Sequence, residues 1–81
     1  MRIRLLFFAM YRDLAGADGI DLDVPHGATA ADVVAQLRAG GNGLTRLPPR
    51  PALAVNRTYA SLETVLRDGD ELALLPPVAG G

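Results

Sequence analysis

No cysteine occurs in the 81 residues of this chain. A disulfide scaffold, a thiolate metal site and cysteine-based catalysis are all excluded. The chain must therefore hold itself together by burying one apolar core in one domain. Its 49% hydrophobic residues are enough for that, although a domain of this size buries only about 60–65% of its unfolded surface.

The apolar pattern shows how the core is assembled. Residues 2–9 read as a strand, with Ile3, Leu5 and Phe7 on one face and Arg2, Arg4, Leu6 and Phe8 on the other. Residues 10–15 fit a short helical turn stopped by Gly16. Residues 19–24 alternate Ile20, Leu22 and Val24 against Asp21 and Asp23, as a half-buried edge strand does. Pro25-His26-Gly27 is a turn. Thr29 is placed as an N-cap and Asp32 closes a capping box. Ala30, Val33, Val34 and Leu37 then follow at helical spacing to about Ala39, where Gly40-Gly41 stops the helix. Residues 40–51 hold three glycines and three prolines and read as a surface loop. Leu53 and Val55 mark a third strand closed by Asn56-Arg57. Residues 59–66 read as a short strand followed by a turn of helix, Asp68-Gly69-Asp70 as a turn, and residues 71–75 as the final strand. This order gives an α+β roll, a mixed sheet with one main helix over residues 29–39 covering one face.

Charge and side-chain inventory exclude several functions. A net charge of −1 leaves no basic patch for nucleic acid and no polybasic membrane signal. Arg2 and Arg4 precede an apolar stretch, as in a signal peptide, but Asp13 follows at once and the stretch reads as a buried strand. No run is long enough to span a bilayer, and a cytoplasmic protein is expected. His26 lies in a Pro-Gly turn and is expected to be solvated. Asp68 and Asp70 offer too few oxygens for a metal loop, and no metal is assigned. No nucleophile–base set and no glycine-rich phosphate loop is present. Every basic residue is arginine, so the only amine is the α-amino group of Met1 and the chain cannot link to itself by isopeptide bonds.

The ending Pro76-Pro77-Val78-Ala79-Gly80-Gly81 carries the chemistry. Each proline fixes φ and lacks an N–H, so residues 76–81 form an extended tail on a domain of residues 1–75. Six extended residues reach roughly 20 Å. Gly80 and Gly81 make the tip thin enough to thread into a narrow active site, and it ends in a free carboxylate.

The order of elements and the tail resemble the β-grasp fold of ubiquitin and the sulfur-carrier proteins. Particular residues narrow the resemblance to the MoaD family, the small subunits of molybdopterin synthase: Leu6-Phe7-Phe8-Ala9 through Arg12 to Gly16, Val55-Asn56, the run from Leu66 to Leu72, and the ending itself. Residues 40–51 follow no motif of that family. The resemblance implies a sulfur carrier in molybdenum cofactor biosynthesis, with no bound cofactor and no catalytic side chain of its own. An adenylating activator (MoeB-like) would use ATP to convert the Gly81 carboxylate to an acyl adenylate. A persulfide sulfur donor would then leave a thiocarboxylate there. The loaded tail would enter the large subunit of molybdopterin synthase (MoaE-like) and give its sulfur to cyclic pyranopterin monophosphate. A carboxylate is inert to sulfide at neutral pH, and adenylation supplies the leaving group.

A single main helix cannot cover both faces of the sheet, so part of the second face is expected to stay exposed as an apolar interface. Phe8 and Leu75 are candidates by alternation, and Tyr59 by the resemblance. Other readings stay open. They are a sulfur carrier of another pathway, such as the thiamine type, a ubiquitin-like modifier joined to target lysines through Gly81, and a plain interaction module.

Overall fold

The computed structural model describes residues 1–40 and 43–77. Alternation in the first strand sets the architecture. β1 (Arg2–Phe7) buries Ile3, Leu5 and Phe7 and leaves Arg2 and Arg4 in solvent. The chain continues through α1 (Ala9–Ala15), β2 (Gly19–Asp23), α2 (Ala30–Arg38), a 3-10 turn (Gly43–Arg46), β3 (Ala52–Val55), β4 (Thr58–Ala60) and β5 (Glu71–Leu75). The strands form one sheet in the order β2-β1-β5-β3-β4. β1 and β5 are parallel, with Leu5 opposite Leu72 and Phe7 opposite Leu74. All other pairings are antiparallel. This is the β-grasp roll that the resemblance implies. No helix among the described residues is long and apolar enough to cross a membrane.

The core lies between the sheet and α2. Leu5, Leu72 and Leu74 from the central strands meet Ala30, Val33, Val34 and Leu37 of the helix in one buried cluster. The capping box forms as expected. The Asp32 N–H donates to Thr29 Oγ1 at 3.2 Å, and the Thr29 N–H donates to Asp32 Oδ2 at 2.9 Å. Thr29→Ala is expected to lower stability by about 1 kcal/mol in urea titration, with an unchanged slope, because one helix-end donor loses its partner.

Three segments depart from the sequence reading by more than an end residue, each for a physical reason. The first strand ends at Phe7, not at residue 9, because Ala9 takes a positive φ of 47° and turns the chain into α1. Residues 59–66 hold no helical turn. The carbonyls of Leu62 and Thr64 instead accept the N–H groups of Ala31 and Ala30, so this segment caps α2 from outside. Residues 40–51 are not simply a surface loop. Leu44 and Leu47 are buried in the core, and the Leu47 carbonyl accepts Arg38 Nε at 2.9 Å. Gly41 of the proposed helix stop lies outside the described residues.

The turn between β3 and β4 has two central residues, Asn56 and Arg57, at φ of 51° and 71°. That is the left-handed pair a tight hairpin needs. Asn56 suits it, and its side chain is also tied to the neighbouring turn. Its Nδ2 donates to Asp70 Oδ1 at 2.9 Å, and its Oδ1 accepts the Glu71 N–H at 3.0 Å. For Arg57 the same conformation costs about 1 kcal/mol.

Candidate functional site

The face of the sheet away from α2 is built by register. Leu6 of β1 lies opposite Ala73 of β5, Ala73 opposite Ala54 of β3, and Ala54 opposite Tyr59 of β4. Two alanines in the middle of this row make a trough, and larger side chains flank it. On the far side Leu6 faces Gly19 of β2. A Cβ at Gly19 would come within 2.7 Å of the Leu5 carbonyl and 3.2 Å of Leu6 Cδ2. Glycine there lets β2 approach and leaves room for Leu6.

The trough continues along β5. Leu75 and Phe8 line the end from which the tail departs, while Glu71 and Arg57 line the other. Phe8 is 46% exposed and Tyr59 83% exposed, so Tyr59 stands largely in water and Phe8 about half in it. Phe8, Tyr59 and Leu75, the three interface candidates from the sequence, thus line one groove. Phe8 reaches it from beyond the strand, as the extended residue that precedes α1. Ala54, Ala73 and Leu6 complete the floor. Arg57 was legible in the sequence only as a turn residue. Its place on the rim depends on the positive φ and on the β3–β4 register, which no periodicity shows.

The remainder of that face is polar. Arg2 pairs with Asp23 at 3.1 Å and Arg4 with Asp21 at 3.2 Å across β1 and β2. The hydrogen bond from Arg2 holds the Asp23 carboxyl below its ordinary range. The stabilisation from that pair is present at neutral pH and fades as pH falls through the lowered value. Both side chains are well exposed, so the pair contributes little.

Leu75 also borders a second hollow, lined by Tyr11, Pro48, Pro51 and Pro77. Tyr11 is buried, and burial pushes its hydroxyl pKa up. β5 ends at Leu75, and the tail starts between the two hollows with Pro76 half-buried and Pro77 exposed. The tail candidates Val78, Ala79, Gly80 and Gly81 lie outside the described residues.

The model of the ThiS family matches residues 5–81. The chain belongs to the ThiS family. Among relatives of this ThiS-family chain, the molybdopterin synthase sulfur carrier subunit of Anopheles gambiae is 39% identical over 85 residues, covering 100% of this chain and 93% of its own. Two solved structures share the fold. Small archaeal modifier protein 1 of H. volcanii superposes with a TM-score of 0.80 at 28% identity, over 95% of this chain and 98% of its own. A chain in the complex of subunits 1 and 2 of the molybdopterin-converting factor from Helicobacter pylori superposes with a TM-score of 0.72 at 28% identity, over 100% of both chains.

Proposed function

We propose that this chain is the sulfur-carrier subunit of molybdopterin synthase and that its working group is the Gly81 carboxylate. One observation carries the reading: the full-length match to a molybdopterin synthase sulfur carrier subunit at 39% identity. That likeness favours molybdenum cofactor chemistry over a thiamine-type carrier. The carrier supplies no catalytic side chain. A partner adenylates Gly81 with ATP, a persulfide donor displaces AMP to form an acyl disulfide, a thiol reductant cleaves that S–S bond and frees the donor, and the thiocarboxylate left behind, ionised and soft, attacks cyclic pyranopterin monophosphate. The carrier's own contribution is placement. The groove lined by Phe8, Tyr59 and Leu75 docks the large subunit, and the tail that starts at Pro76-Pro77 enters its active site. The Helicobacter pylori complex of two subunits supports a large-subunit partner of this kind.

Intact mass tests the reading. After incubation with ATP, a persulfide donor, a thiol reductant and the cognate activator, the chain is expected to show the mass gain of one sulfur-for-oxygen exchange. The archaeal modifier's likeness favours a second reading, attachment of Gly81 to lysines of other proteins. Isopeptide-linked adducts in a lysate, without the exchange, would support that one instead.

Tail width gives a further expectation. Gly80→Val should depress thiocarboxylate yield and single-turnover transfer far more than Ala79→Val. A narrow channel needs room beside the penultimate residue, and glycine reaches backbone angles closed to valine. Equal behaviour of the two variants would show that the glycine is not needed for threading.

A further inference from the structure

Arg57 stands where this hairpin favours glycine. Its φ is 71°, as the second central residue of the two-residue turn between Val55 and Thr58. Asn-Gly is the pair such turns take most readily, and a longer side chain is strained there. Strain of this kind collects where function requires a particular side chain.

Nothing within the described chain offsets it. The Arg57 guanidinium has no hydrogen bond or ion pair among the described residues. In contrast, Arg2, Arg4, Arg12 and Arg50 each face a carboxylate within 3.7 Å. Arg38 donates to the Leu47 carbonyl instead, and the guanidinium groups of Arg46 and Arg67 have neither kind of partner among the described residues, but none of these three lines the groove. Arg57 does, at the same end as Glu71, whose carboxylate is unpaired as well. The five-residue β5 separates this charged end from Leu75 by about 13 Å. The groove therefore has a direction: charge at one end, apolar surface at the end where the tail leaves.

We propose that Arg57 selects the partner docked in the groove by pairing with a carboxylate on it. The inference rests on the docking role given to this face above, and the occupant is the large subunit. Its docking segment lays an apolar side chain over Ala54 and Ala73, between Phe8 and Tyr59, and sets an Asp or Glu against Arg57. A free phosphate fits less well, because Arg57 is the one cation among the described residues that line the groove and Glu71 repels a dianion more strongly than a single carboxylate. With a net charge of −1 the chain exerts little long-range steering, so discrimination has to be local.

The test is calorimetry against the large subunit at low and high salt, with thermal melts, for Arg57→Gly, Arg57→Lys, Arg57→Glu and Phe8→Asp. Arg57→Gly should melt above the parent because the turn relaxes. It should nevertheless bind about tenfold more weakly and with a flatter salt dependence. Arg57→Glu should bind more weakly still, and Arg57→Lys should recover part of the affinity. A residue with only a structural role would not combine a higher melting temperature with weaker binding. Parent-like or tighter binding by Arg57→Glu, with Phe8→Asp impaired, overturns the pairing and leaves the docking face standing. Parent-like binding by Phe8→Asp as well overturns the docking face and the pairing with it.

Discussion

Deleting Gly81, or adding one residue beyond it, is expected to abolish sulfur transfer without moving the thermal melt. The two halves of that result have separate causes. The described core side chains run from Ile3 to Leu74, so no core packing in the described residues depends on the chain's last position. Under the proposed function transfer depends on it wholly, because the reactive carbonyl would have to sit at a fixed reach from the groove. Shifting a reacting group by about an ångström can lower a rate by roughly a hundredfold, and one extended residue moves the carbonyl by more than 3 Å. Single-turnover transfer with the large subunit would measure the loss. The mass of each variant after activation would show whether loading or delivery fails. Parent-like activity of a chain extended past Gly81, in the absence of any protease, would remove the tip from the mechanism.

The sequence was most legible where local rules decide structure. Alternation in residues 71–75 and the Thr29–Asp32 pair each point to one element, and both form as read. Residues 40–51 and 59–66 were less legible because their hydrogen-bond partners are far away in sequence. The carbonyls of Leu62 and Thr64 serve the start of α2, and no helix pattern in their own segment reports that. Leu44 and Leu47 sit among glycines and prolines, so their burial shows only once α1 and α2 are in place. The candidate groove lies between these cases. Alternation separates Leu75 from the core set, but Tyr59 joins the groove through its register with Ala54. Phe8 is on the expected face for a different reason from the one alternation suggests. The strand has already ended, and the turn at Ala9 leaves Phe8 outside the core. Non-glycine residues with positive φ stand next to Phe8 and at Arg57, both on the groove, so backbone strain marks the site that periodicity outlines only in part.

Phe8→Asp is expected to keep the domain folded and to weaken binding to the large subunit by at least about 2 kcal/mol, or roughly thirtyfold. Folding should survive because the side chain is 46% exposed and lies outside the buried cluster. Position 8 is also the N-cap of α1, where Phe8 makes no side-chain hydrogen bond and the backbone is extended, with φ −126° and ψ 152°. Aspartate is among the best residues at such a position, so the substitution offers α1 a cap that the parent lacks. Binding should fail because an aromatic anchor at the tail end of the groove is replaced by a charge that docking would strip of water without a partner. Loss at this position should also impair the activator if both partners use the same face. Circular dichroism and thermal melting would follow the fold, and calorimetry the affinity. An unfolded Phe8→Asp chain would place Phe8 in the core. A folded chain that binds like the parent would leave the tail to carry recognition alone.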